Sequence, residues 1–160
     1  MATKRATGPL RVAFGSDHKG VGLRGELTRL SAACGHVVCD VGATGSTRVL
    51  YADYARLVTA LVAGGEADAG VLICGSGVGM SIAANRHPLI RAALIHDVGT
   101  ARLSRAHNAA NVLCLGANVV TGPVAADLLR VFLGTPFEGG RHAAQLLRVA
   151  DVRGATEVTP

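Results

Sequence analysis

The sequence predicts an α/β protein, a three-layer Rossmann-like sandwich around a five-stranded parallel sheet. Three observations predict it. Short apolar runs recur along the chain, most of them closing on a glycine. Between them lie segments with apolar residues at helical spacing, so each strand feeds a crossover helix and the strands must run parallel. The composition agrees: 49% of residues are hydrophobic, aromatics make up only 3%, and there are 21 glycines, so the core is Ala, Val, Leu and Ile and the backbone turns tightly in many places.

The first strand is RVAFG (11–15), followed by the loop SDHKG and a helix in which Leu23, Leu27 and Leu30 recur until Gly35. HVVCDVG (36–42) is the second strand. GATGSTR (42–48) is a loop, and 52–63 is a helix with Tyr54, Leu57, Val58 and Leu61 along one face. AGVLICG (69–75) is the strongest strand, and the glycine-rich GSGVG (75–79) leads from it into MSIAANR. IRAALI (90–95) is the fourth strand, 98–107 a helix, and NVLCLG (111–116) the fifth strand. Helices through 125–133 and 142–150 complete a single domain over 11–150. Residues 1–10 read as a flexible N-terminal tail and 151–160 as a C-terminal one.

At 160 residues the chain suits one domain. Its formal charge is +5, but Lys4 and Lys19 are the only lysines and the arginines are scattered singly from Arg5 to Arg153. That pattern lacks the basic run of a nucleic-acid or membrane patch, and too few aromatics are present for base stacking. An anionic small-molecule substrate and a merely basic surface explain the balance equally well. Cys34, Cys39, Cys74 and Cys114 form no CxxC pair and no zinc-type Cys/His spacing, so no metal site is expected. No run approaches membrane-span length and MATKRATGPL has no apolar signal core, so the expectation is a cytoplasmic protein with reduced thiols.

Ligands of parallel sheets bind beyond the carboxyl ends of the strands. Those ends carry Asp17 and His18, then Cys74 to Gly79, then His96 and Asp97. A thiolate at Cys74 would face backbone N–H groups of the glycine loop, although a cysteine at a strand end is more often a small buried hydrophobe. Gly75-Ser76-Gly77-Val78-Gly79 is G-x-G-x-G, which matches neither a dinucleotide fingerprint nor a P-loop. Its amides suit a phosphate or a developing enediolate oxygen, with a structural turn as the alternative. Asp17 is equally a helix N-cap candidate. His107 and His142 read as helical histidines, and His36, His87 and His96 receive no role.

Taken in order, GSDHKG (15–20), DVGA (40–43), DYA (53–55), ICGSGVGMSIAANR (73–86), IRAALIHD (90–97), ARLSRAHNAANVLCLGANVV (101–120) and FEGGRH (137–142) resemble the type B ribose-5-phosphate isomerases, a family that includes galactose-6-phosphate isomerase subunits. The likeness covers about 11–148. It implies an aldose–ketose isomerase working through a cis-enediol, without metal or organic cofactor. By the same resemblance Cys74 is the base moving the proton between C1 and C2, Ser76 lies near the reacting carbons, and the amides of Gly75, Gly77, Val78 and Gly79 face the enediolate. His107 would open the sugar ring with Asn108 beside it, Asp17 would relay hydroxyl protons, Tyr51 would neighbour the substrate, and His18 and Arg141 would lie on the phosphate side. Two positions depart from the pattern: Asn118 and Gln145 stand where arginines are usual. The resemblance also implies a homodimer or homotetramer whose site lies between subunits, with His107 and Asn108 reaching across.

Overall fold

The structure, a computed structural model, describes residues 8–150; the expected tails over 1–7 and 151–160 lie outside the described residues. Five strands, β1 (Arg11–Ser16), β2 (Val37–Asp40), β3 (Ala69–Cys74), β4 (Ala92–Leu94) and β5 (Val112–Gly116), form one sheet in the order β2-β1-β3-β5-β4 with every pair parallel. Six helices connect or follow them: α1 (Val21–Ala33), α2 (Tyr51–Ala63), α3 (Val78–Ala84), α4 (Val98–Ala106), α5 (Gly122–Gly134) and α6 (Arg141–Ala150). The expected three-layer sandwich is therefore the fold observed.

Strand alternation divides the core in two. Val12, Phe14, Val71, Ile73, Leu113 and Leu115 face the α1, α4 and α5 layer, where Leu27, Ala101, Leu128 and Phe132 meet them. Ala13, Leu72, Cys74, Val112 and Cys114 face the α2 and α3 layer, against Ala55, Val58, Met80 and Ala84. β3 is buried along its whole length, as a central parallel strand must be. The predicted strands 36–42 and 90–95 are trimmed to β2 and β4, because these are the sheet edges and lack a second partner. Leu10, assigned to the tail by composition, instead donates its N–H to His36 Nδ1 (3.2 Å) and packs on the core.

The sheet order fixes where a ligand belongs. From β1 the chain moves outward to β2, then returns to the opposite side of β1 for β3. The connections after β1 and β3 thus leave on opposite sides of a common crevice, the switch point at which open parallel sheets bind ligands. Ser16-Asp17 and Cys74-Gly75 are its two lips. Arg24, buried on α1, pins this end by donating to Ser16 Oγ, to the Ala43 carbonyl (2.8 Å) and to Asp40 Oδ2 (3.1 Å).

Candidate functional site

A cleft of about 390 Å³ opens at this switch point, lined by Asp17, Lys19, Tyr51, Cys74, Gly75, Ser76, Gly79, Asn118 and Val119. Seven of the residues singled out in the sequence are brought together there: Asp17, Tyr51, Cys74, Gly75, Ser76, Gly79 and Asn118. Lys19 and Val119 are additions. The only signal for them was adjacency to Asp17 and Asn118, since neither belongs to a motif with its own chemistry.

Cys74 ends β3 buried, and its Sγ accepts a hydrogen bond from the Gly77 N–H at 3.2 Å. The Val78 N–H donates to Ser76 Oγ at 3.3 Å, so two of the loop amides orient side chains of the cleft. Cys114, its neighbour on β5, is different: complete burial and the nearby Cys74 push its thiol above the ordinary range, and it remains a packed SH.

Gly77 is the hinge of this loop. Its φ of +79° is left-handed, and a Cβ there would sit 2.9 Å from the Leu115 carbonyl carbon. Gly77→Ala is expected to cost about 1–3 kcal/mol from backbone strain alone, lowering Tm by about 2–4 °C per kcal/mol in a thermal melt. An unchanged melting temperature would contradict the loop geometry. Gly79 has the other necessary gap, since a Cβ would meet the Tyr51 ring at 2.7 Å.

Asp17 is buried and combines the two roles its sequence position allowed. Its Oδ1 accepts from the N–H groups of Lys19 (2.9 Å) and Gly20 (3.2 Å), holding the turn into α1, while these bonds leave Oδ2 available to the cleft. His18 lies outside the cleft lining and accepts the Val49 N–H on Nδ1 (3.4 Å). Asp97 is an N-cap of α4, accepting from Thr100 N (2.8 Å) and Thr100 Oγ1 (2.6 Å), and those bonds lower its pKa.

The remaining expected site residues gather elsewhere. α4 starts after the carboxyl end of β4 and runs back along the sheet, so His107, its C-cap, lies at the amino-terminal edge just before β5. Cys74 is level with Gly116 at the far end of β5, and the four residues from Val112 correspond to about 13 Å of strand. The 135–140 loop joins His107 there, with Glu138 N–H donating to the Ala106 carbonyl at 2.9 Å. His107 and His142 stack at 4.0 Å between centroids, 9° apart. Glu138 Oε2 lies 3.6 Å from His107 Nε2 and 3.9 Å from His142 Nε2. Desolvation, with His107 and Arg141 adding to it, holds the His142 imidazole below its usual pKa, and Glu138 opposes this. The three donor atoms fall within 4.8 Å of one another, a set able to take a metal ion, which sequence spacing did not reveal because His107 ends α4, far along the chain from Glu138 and His142.

Asn108 follows His107 into a turn where Ala109 has φ +45°, the one left-handed non-glycine among the described residues. Backbone strain of this kind concentrates at functional sites. Arg141 and Gln145 lie exposed one turn apart on α6, so they share the His107 end. A larger cavity, about 910 Å³, runs between β4, α4 and α6 past Asn108 and contains none of the Cys74 cleft residues. A single chain therefore places the Cys74 cleft and the His107 cluster at opposite ends of its sheet.

Comparison with known proteins identifies the family and the fold. The family model described as Ribose/Galactose Isomerase matches residues 12–149. Ribose-5-phosphate isomerase B of Escherichia coli is 46% identical over 132 residues, covering 82% of this chain and 89% of that protein. Galactose-6-phosphate isomerase subunit LacB of Clostridium acetobutylicum is 32% identical over 140 residues, 88% of this chain and 81% of that one. The structure of ribose-5-phosphate isomerase B from Clostridium thermocellum superimposes with a TM-score of 0.89 at 40% identity, covering 90% of this chain and 97% of that chain.

Proposed function

The chain belongs to the ribose/galactose isomerase family, and from that premise we propose that it interconverts a phosphorylated aldose and its ketose, with ribose 5-phosphate and ribulose 5-phosphate as the leading pair. The observation that carries the chemistry is Cys74 Sγ, held by the Gly77 amide at the switch-point cleft beside Asp17 and Ser76.

In the mechanism we infer, the Cys74 thiolate removes the C2 proton of the open-chain aldose. The C–H electrons form the C1–C2 double bond and the carbonyl pair moves onto O1, giving an enediolate. Asp17 and Ser76 pass a proton to O1 and withdraw one from O2. The thiol then returns its proton to C1 as the C2 carbonyl forms, so hydrogen moves from C2 to C1 and from O2 to O1 and nothing else is consumed. The reaction as written uses no cofactor. Loop amides not engaged by Sγ or Oγ stabilise the enediolate oxygen. Tyr51 borders the sugar, and His107 with Asn108 opens its ring.

We read the Cys74 cleft and the His107 cluster as two half-sites that become one only when a second copy brings its His107 end to the Cys74 cleft. We therefore assign the functional unit as at least a homodimer, with Arg141 and Gln145 approaching from the partner together with His107. A cytoplasmic setting fits the four free thiols and the absence, among the described residues, of any helix long and apolar enough to cross a membrane.

A second substrate class, another sugar phosphate such as a tetrulose phosphate or a free sugar, is favoured by the neutral side chains Asn118 and Gln145. Paired kcat/KM measurements on phosphorylated and free sugars decide between them. A preference of about 100-fold or more for the phosphorylated form is expected, from the strength of charge-assisted contacts to a dianion. Equal values would remove phosphate from the substrate.

A further inference from the structure

We propose that Lys19, paired with Asn118, is the cation that recognises the substrate's phosphate within the Cys74 cleft and sets the preference for a phosphorylated sugar. This rests on the isomerase reading above and adds a specificity residue to it. Among the described residues that line the cleft, Lys19 is the sole cation and Asp17 the sole carboxylate. The two are not an ion pair: the Asp17 carboxylate takes the backbone N–H of Lys19 at 2.9 Å, and no carboxylate among the described residues lies within 4.0 Å of the ammonium. Asp17 thus fixes the backbone of residue 19, while the exposed Lys19 side chain lines the cleft with no carboxylate partner among the described residues.

Gly75 determines where that side chain runs. A Cβ on Gly75 would lie 3.1 Å from Lys19 Cδ and 3.3 Å from Asn118 Nδ2, so the lysine stem and the asparagine amide converge on the space this glycine leaves open. Asn118 is anchored to the same loop, its backbone N–H donating to the Gly75 carbonyl at 3.0 Å. An ammonium with three donors and an amide with two, on side chains that line the same cleft as Cys74, suit the oxygens of a dianion better than the hydroxyls of a neutral sugar. A lysine is also a point charge on a flexible stem, able to follow phosphates at somewhat different distances from C1. This cleft therefore needs no arginine at position 118 to hold an anion.

The test uses the full-length protein and three variants, Lys19→Met, Lys19→Arg and Lys19→Met with Asn118→Arg. Inorganic phosphate serves as competitive inhibitor and as a calorimetric ligand. Lys19→Met is expected to raise KM for ribose 5-phosphate and the phosphate Kd by about 10- to 100-fold, the range of a lost charged hydrogen bond. KM for free ribose should move less than twofold. Lys19→Arg should recover most of the loss, and Asn118→Arg should rescue Lys19→Met by returning a cation to the same place. The proposal is overturned if Lys19→Met leaves the phosphate Kd within twofold, or if it lowers kcat equally on both sugars, the mark of a merely structural role. Should the wild type turn over no sugar phosphate, the isomerase reading fails, and the phosphate Kd of wild type against Lys19→Met still decides the role of Lys19.

Discussion

Replacing Cys74 by alanine is expected to lower kcat by about three orders of magnitude, within the range for loss of a positioned general base, while leaving KM nearly unchanged. In the proposed mechanism the sulfur carries the proton between adjacent carbons, and the amide of Gly77 points at it from 3.2 Å. Cys74→Ser is the sharper variant. Its hydroxyl accepts the same amide hydrogen bond, so the loop keeps its shape, but an alkoxide is far harder to form than a thiolate, and activity should fall nearly as far as in Cys74→Ala. Because Cys74 is buried, removing sulfur also costs about 1 kcal/mol of packing. A melting curve beside the kinetics separates this from chemistry. Retention of activity within twofold in either folded variant would remove Cys74 from the proton path and leave Asp17 as the base to test.

The fold was legible because its signals are local. Strands with a continuous apolar run and helices with a clear apolar face were placed within a few residues, and the edge strands β2 and β4 were shortened most, by three residues each. Half of the site was legible for the same reason: Asp17, Cys74, Ser76 and Gly79 sit at strand ends that topology forces into one crevice. Lys19 was not, since a lone lysine has no spacing to betray it and its role depends on the space left by Gly75. Nor was the His107–Glu138–His142 cluster, which forms only when the 135–140 loop passes the end of α4. Asp97 shows the converse. It occupies a strand end like Asp17, yet both its carboxylate oxygens are taken by Thr100.

Mixing two inactive variants is expected to restore activity. Cys74 and His107 lie at opposite ends of one sheet, so a site that uses both must draw them from different chains. In an isologous dimer each of the two sites then contains Cys74 of one subunit and His107 of the other. When Cys74→Ala and His107→Ala chains are combined, a hybrid dimer concentrates both defects in one site and leaves the second wholly native. Random reassortment makes about half of the dimers hybrids, each with one of two sites intact, so the mixture should approach about a quarter of wild-type activity. Each variant alone stays near zero. Unfolding and refolding the chains together permits the exchange, and a mixture of separately refolded chains is the control. No recovery, with hybrids demonstrated by mass, would mean that both residues act within one chain, and a His107→Ala variant active by itself would mean that His107 takes no part. A recovery near a quarter could not arise from a monomeric site, because no single chain in the mixture carries both residues.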